Sequence, residues 1–129
     1  MEHSRTSRMT ASAETLRMAR LSEDDLLTSV LDLCRALHLR TAHFRPARTA
    51  QGWRTPVSGD GKGWPDLVIV GPRRLIMREL KSDVGRPSPA QLAWGHALAT
   101  AGVDAGVWRP RDWRSGAIGL ALRELAGRG

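Results

Sequence analysis

Cysteine and long apolar runs are the two features that this chain has least of. Cys34 is the only cysteine, so the sequence excludes an intrachain disulfide and a zinc site built from cysteines. No stretch reaches the roughly 18 consecutive apolar residues of a membrane-spanning helix, and the first nine residues lack the apolar centre of a secretory signal. We therefore expect a protein of the cytoplasm with no membrane partner.

Acidic residues are in the minority, and lysine is scarce. The chain has 20 Lys and Arg against 13 Asp and Glu, a formal charge of +7, and only two of the basic residues are lysines. Residues 35–62 contain a single acid, Asp60, and six basic residues: Arg35, Arg40, Arg45, Arg48, Arg54 and Lys62. Guanidinium groups match phosphate oxygens, so this excess indicates a nucleic-acid partner. A basic surface without a partner is the alternative, since arginine codons also follow genomic base composition.

The length of 129 residues suits one domain with a real core and is too short for two. We expect residues 1–20 to form a flexible basic extension and residues 21–129 to form a single domain. Residues 46–63 are expected to be a long loop, which in a compact domain is usually functional or disordered.

Apolar periodicity and cap residues predict the order helix, strand, strand, strand, helix, strand, helix. The second helix has the clearest ends, because Ser88 suits the cap, Pro89 the first helical position and Gly102 the stop. The predicted fold class is α/β, with a central mixed four-stranded sheet flanked by helices. The predicted ranges are 22–38, 40–45, 66–70, 74–81, 89–101, 103–108 and 117–126.

Two carboxylates are expected to meet on a hairpin made from the second and third strands. If the turn pairs Gly71 with Arg74, the same register pairs Asp66 with Glu79. Opposed strand residues have Cβ atoms about 5 Å apart and share one face, and alternation puts Lys81 on the Glu79 face. Each residue alone would suit a solvated strand end. Together, at the rim of the apolar run 67–70, they predict a divalent-metal site beside an ammonium group, which is the chemistry of metal-dependent phosphodiester cleavage.

Other motifs are weaker. Gly59, Gly61 and Gly63 lack the Gly-Lys-Ser/Thr ending of a nucleotide-binding loop, and no pair of histidines has metal-ligand spacing. Trp94 is expected in the core. Trp53 and Trp64 flank the long loop, where they could stack on bases or simply pack.

Three motifs carry a resemblance to a known family. They are Gly63-Trp64-Pro65-Asp66-Leu67, Glu79-Leu80-Lys81 and Gly85-Arg86-Pro87-Ser88-Pro89-Ala90-Gln91. In this order the chain resembles the PD-(D/E)XK nuclease superfamily, and within it the VRR-NUC family, near the archaeal-type Holliday-junction resolvases, over residues 22–108. The resemblance implies a restriction-endonuclease-like core and a Mg²⁺- or Mn²⁺-dependent DNA endonuclease acting on branched or flapped DNA in repair, recombination or phage replication. By analogy with the resolvases, it also implies a homodimer.

The resemblance further implies roles for particular residues. Asp66 and Glu79 would bind the ion together with the backbone carbonyl of Leu80. Lys81 would hold or deprotonate the attacking water. A glutamate of the first helix would support the cluster; Glu23 is favoured because it extends the buried stripe, with Asp24 as the second choice and a helix-dipole role as the alternative. Gln91 would touch the lysine, the water or a phosphate, or would only make a helix-start hydrogen bond.

Contacts to the DNA backbone are expected from basic side chains around the long loop and from the strand before it, namely His43, Arg45, Arg48, Arg54 and Lys62. No organic cofactor is expected. Two other functions stay open: a non-catalytic DNA-binding module that retains the nuclease fold, and a nuclease that acts on RNA or single strands.

Overall fold

The computed structural model of this protein describes residues 23–44, 47–50, 52–54 and 57–128, without the side chains of 47–49 and 52–54. The helices of this part of the chain are α1 (23–36), α2 (Pro89–Thr100), α3 (Pro110–Arg114) and α4 (Ala117–Leu125). The strands are β1 (Arg40–His43), β2 (Ala47–Thr49), β3 (Gly52–Arg54), β4 (Leu67–Val70), β5 (Leu75–Leu80) and β6 (Asp104–Trp108).

Four of the strands form one mixed sheet in the order β1-β4-β5-β6. β1 and β5 each pair antiparallel with β4, whereas β6 pairs parallel with β5. Parallel neighbours need a crossover connection, and here helix α2 lies in the segment that runs from the end of β5 to the start of β6. β2 and β3 form a separate two-stranded sheet. The expected α/β class and the mixed four-stranded sheet flanked by helices are confirmed.

The register of the β4–β5 hairpin is the one that the sequence predicted. Val70 pairs with Leu75 and Leu67 with Arg78, and the backbone N–H of Gly71 donates to the carbonyl of Arg74 at 2.9 Å. Asp66 precedes the ladder by one residue and Glu79 follows it by one, so the two acids occupy opposed positions.

The core lies between α1, α4 and one face of the sheet. It contains one aromatic residue, Trp108, and is otherwise built from aliphatic side chains and the thiol of Cys34; its aliphatic members are Leu26, Val30, Leu39, Leu67, Ile69, Ile76, Leu80, Ile118, Leu122 and Leu125. Burial raises the pKa of the Cys34 thiol to about 11, so this cysteine is a neutral packing group rather than a nucleophile.

Helix α2 covers the other face. Ala105 and Val107 alternate along β6 with the core residue Trp108, and they line a cavity of about 210 Å³ together with Leu92 and Gly95 of α2. None of the residues in α2 is buried. Within the described ranges, no helix combines the length and the apolar character needed to cross a membrane.

Four predicted features differ in the structure. The first helix ends at residue 36 rather than 38, because His38 takes the left-handed φ of 60° and residues 37–38 form a turn. β1 ends at His43, short of residue 45. The predicted loop 46–63 contains the β2–β3 hairpin. Its strands have three residues each, which is too few to show the alternation of apolar and polar residues that predicts a strand. Helix α3 was missed, although Pro110 at its first position and Asp112 in a capping box are start signals.

Some predictions fall on residues that the structure does not describe. The proposed extension 1–20 and the cap residue Ser22 are among them. The remaining helix and strand bounds agree with the predictions to within a residue or two, and Gly102 has the left-handed φ of 89° expected just after a helix.

Candidate metal centre and catalytic groove

A groove of about 630 Å³ opens at the end of the sheet where β4 begins and β5 ends. The start of α1 and the first turn of α2 border it. The lining includes five residues whose side chains were predicted to bind the ion or to act in catalysis, namely Glu23, Asp66, Glu79, Lys81 and Gln91. Its other lining residues are Asp24, Leu27, Thr28, His43, Phe44 and Leu80.

Backbone contacts hold Asp66 at the end of the hairpin. The N–H of Phe44 donates to the Asp66 carbonyl at 2.8 Å, which continues the β1–β4 pairing. The carboxylate oxygen Oδ1 of Asp66 accepts from the backbone N–H of Leu80 at 3.1 Å. This side chain therefore bridges the two strands, with its second oxygen left for another partner.

Gln91 is the direct partner of Glu79. Its Nε2 donates to Glu79 Oε1 at 2.6 Å, while its Oε1 accepts from the backbone N–H of Ser88 at 2.8 Å. The Ser88 hydroxyl in turn accepts from the Gln91 backbone N–H at 3.2 Å. This capping box fixes which end of the amide faces Glu79, because the oxygen is already engaged by Ser88. The sequence identified both the cap and the candidate glutamine but not their connection to Glu79.

The two acids are unfavourable as a pair without a cation. Burial raises the pKa of Asp66 to about 6, and the negative charge of Glu23 also raises it. The hydrogen bond from the Leu80 N–H and the positive charge of Lys81 act in the opposite direction and lower this pKa. Burial raises the pKa of Glu79 to about 7, and the nearby Asp66 charge contributes in the same direction. Glu79 Oε2 is buried and forms no hydrogen bond among the described residues, although the Asp66 backbone N–H lies close enough to this carboxyl group to lower its pKa. A buried carboxylate oxygen of this kind is costly unless a proton or a cation satisfies it.

The donor set fits a small hard cation. Asp66 and Glu79 could each supply one carboxylate oxygen, with the Leu80 carbonyl and water as further oxygen ligands, which suits Mg²⁺ or Mn²⁺. In the part of the chain that the structure describes, no three His, Cys, Asp or Glu side chains are grouped as a ready ligand cluster. Glu23 lies close enough to raise the pKa of both acids. Its role as a supporting ligand stays a prediction, as does that of Asp24.

Lys81 is half-buried on the groove wall. Its backbone N–H donates to the Trp108 carbonyl at 3.0 Å, which extends the β5–β6 pairing past the last strand residue. Its charge lowers the pKa of both Asp66 and Glu79. The structure thus brings the ammonium group and the two carboxylates to one groove.

The expected DNA contacts are only partly placed. His43 lines the groove, and Lys62 is exposed in the turn before Trp64 without lining it. Arg45 lies outside the described residues. The backbones of Arg48 and Arg54 belong to β2 and β3, but their side chains are not among those described.

An aromatic row that the sequence did not predict supports one wall of the groove. Trp64 makes edge-to-face contacts with Phe44, at 6.2 Å between ring centroids, and with Trp94, at 5.0 Å. Trp94 Nε1 donates to the carbonyl of Asp60 at 2.8 Å. Trp94 is therefore a half-buried residue between α2 and the glycine-containing turn, and its prediction as a core residue is wrong. Phe44 reaches the groove itself; being the chain's only phenylalanine, it offered no pattern to detect.

The role of the Gln91 amide can be separated from its helix-capping role. Gln91→Glu is expected to keep the capping box, because glutamate at this position accepts from the cap N–H as glutamine does. Its other oxygen, however, would face Glu79 Oε1, and two adjacent carboxylates resist ionising together. We expect Mn²⁺ affinity to fall about 10-fold to 100-fold, and the metal-free variant to unfold at a lower temperature than wild type at pH 8, because the new charge repels Glu79. Calorimetric Mn²⁺ titration measures this, and an unchanged isotherm would show that the amide does not act on Glu79.

The pKa shifts also predict a competition between protons and a divalent ion. Because both folded-state pKa values are raised, the metal-free protein binds more protons than the unfolded chain, and stability falls as the pH rises from about 4 to about 7. A divalent ion binds only the ionised carboxylates, so the stability gained from ion binding increases as the pH rises. We expect Mg²⁺ at about tenfold its Kd to raise Tm by about 4 °C at pH 8 and very little at pH 5. A Mg²⁺-induced shift in Tm that is the same at both pH values would contradict this.

Comparisons with known proteins place no further constraint on the site. The chain matches no protein-family model, no curated protein and no solved structure.

Proposed function

We propose that this protein is a divalent-metal-dependent nuclease that hydrolyses phosphodiester bonds in DNA. The observation that carries the proposal is the opposed pair Asp66 and Glu79, which lines a groove together with Lys81. The buried oxygen Oε2 of Glu79 has no hydrogen-bond partner in the part of the chain that the structure describes. The strand-turn-strand that holds this trio, followed by a Ser-Pro-x-Gln helix, supports a restriction-endonuclease-like core of VRR-NUC type. Action as a homodimer on branched or flapped DNA belongs to the same proposal.

Four side chains of the groove would take part in this reaction. Asp66 and Glu79 would hold the ion, which when bound would polarise a phosphoryl oxygen and increase the acidity of a water molecule. The Lys81 ammonium would orient the attacking water and stabilise the negative charge that develops on the phosphoryl oxygens. The hydrogen bond from Gln91 to Glu79 Oε1 would keep that carboxylate fixed, so that Oε2 stays directed to the ion.

One feature favours catalysis over simple DNA binding. A site that only binds phosphate would be expected to have cations without buried acids, since carboxylates repel the backbone. Here burial of Asp66 and Glu79 raises the pKa of both groups, a cost that a binding module has no reason to keep. The formal charge of +7 supplies the general attraction to nucleic acid.

A panel of labelled substrates tests the proposal. Purified protein would be incubated with linear, flapped, four-way and single-stranded DNA and with RNA, in Mg²⁺, in Mn²⁺ and in EDTA. We expect cleavage of DNA in Mg²⁺ or Mn²⁺ and none in EDTA, with Lys81→Ala protein purified in parallel as the control for contaminating nucleases. Binding without cleavage of any substrate would instead identify a DNA-binding module, and cleavage confined to RNA would exclude DNA as the substrate.

A further inference from the structure

A short surface turn leaves the groove and returns to it. Residues 82–87 connect Lys81, on the groove wall, to Ser88, the cap residue that holds Gln91 against Glu79. With both ends tied to the site, the middle of a six-residue connection extends no more than about 10 Å from it. Residues 82–87 do not line the groove themselves, so side chains at the tip of the turn can meet only a substrate strand that extends past the groove.

This turn is fastened more firmly than a solvent-exposed connection requires. Ser82 Oγ accepts from the Gly85 N–H at 2.9 Å, and Arg109 Nη1 donates to the carbonyls of both residues at 2.6 Å. Asp83 accepts from the Arg111 backbone N–H at 3.0 Å and from Arg114 Nη2 at 2.7 Å. Surface loops are usually mobile, so these contacts to α3 and its cap make a preformed element of this one.

The fastened turn presents one apolar and one cationic side chain to solvent. Val84 is 62% exposed, the highest exposure among the large exposed apolar residues of the described part. Arg86 is also exposed, and within the same described ranges it forms no salt bridge. A single exposed apolar residue needs no explanation by itself. What calls for an explanation is that Val84 lies on a rigid turn that follows a groove residue, two positions before the exposed guanidinium group of Arg86.

We propose that the turn of residues 82–87 is a nucleic-acid-binding element that contacts the substrate strand next to the phosphate that is cleaved. The Arg86 guanidinium contacts a neighbouring phosphate, and the Val84 side chain covers the apolar edge of the adjoining sugar. The inference rests on the proposed function and adds to it the part of the chain that grips the strand. Arg109 and Asp83 act only by holding the turn in place.

Salt dependence distinguishes the two contacts. Binding to labelled single-stranded and duplex DNA would be measured by fluorescence anisotropy in Mg²⁺, between about 50 and 200 mM salt, in the Lys81→Ala background so that substrate stays intact. Arg86→Ala is expected to weaken binding about fivefold to tenfold and to reduce the slope of log K against log salt by about 0.7 to 0.9. Val84→Ala is expected to weaken binding about threefold without changing the slope.

Matched controls lie at the opposite end of the hairpin. Arg73 is exposed in the β4–β5 turn, about 20 Å from Glu79 at the usual strand rise, and Val70 is 41% exposed at the same end. Arg73→Ala and Val70→Ala are expected to leave both affinity and slope unchanged. Thermal unfolding would confirm that all four variants fold.

The outcomes separate this inference from the proposed function. If protein with a wild-type turn binds DNA but Arg86→Ala gives the same slope as Arg73→Ala, the turn is not a binding element, while cleavage of the substrate panel would still stand. If no DNA binds to protein with a wild-type turn, the inference and the DNA partner both fail.

Discussion

Replacing Lys81 by alanine is expected to lower the rate of DNA cleavage at saturating substrate by about 10²-fold to 10⁴-fold, the range for losing a group that transfers a proton or stabilises developing charge. The reason is that, among the described residues, the charge of Lys81 lowers the pKa of both carboxylates. Without it, the attacking water and the charged phosphoryl oxygens lose their ammonium partner. Single-turnover cleavage in Mg²⁺ or Mn²⁺ measures the effect.

Two comparisons show whether the loss is catalytic. Divalent-ion affinity should not weaken in Lys81→Ala, because the ammonium group is not a ligand and its removal takes away a competing positive charge. Lys81→Arg keeps the charge but cannot release a proton near neutral pH. Activity restored by arginine would assign an electrostatic role, and activity in neither variant would assign a role in proton transfer. Full cleavage by Lys81→Ala would remove this residue from the mechanism.

Replacing Asp66 by asparagine is expected to weaken the binding of the divalent ion strongly. The amide oxygen can still accept from the Leu80 N–H that now binds Oδ1 at 3.1 Å, so the strand end keeps its geometry. One of the two protein carboxylates is lost, and hard cations depend on ligand charge. We expect Mg²⁺ and Mn²⁺ affinity to fall at least about 100-fold, and cleavage to be lost with it.

The same variant has an opposite expected effect on stability. Removing the Asp66 charge relieves the repulsion that contributes to the raised pKa of Glu79, so the metal-free variant should unfold at a higher temperature than wild type at pH 8. Such a gain in stability with loss of function is common for strained sites. Asp60→Asn, which alters an exposed carboxylate away from the groove lining, is the matched control. An unchanged calorimetric titration with Mn²⁺ would contradict the assignment of Asp66 as a ligand.

Features that depend on near neighbours in the chain were predictable from the sequence. The short Gly71–Arg74 turn set the hairpin register, and with it the opposition of Asp66 and Glu79. The Ser88–Pro89 start of α2 and the glycine after its end follow from backbone preferences that need no tertiary contact. The short elements β2, β3 and α3 were missed because three to five residues carry too little periodic signal.

What the sequence determined by itself, then, is the hairpin register, the helix ends and the types of residue near the acids. Only the tertiary structure decided that the amide of Gln91 reaches Glu79, that Trp94 stays half-buried against Trp64, and that Arg109 fastens the turn after Lys81. The physical reason is distance along the chain. Register and caps come from hydrogen bonds between close neighbours, whereas these contacts join residues 12 to 30 positions apart and exist only once α2 and α3 have packed against the sheet.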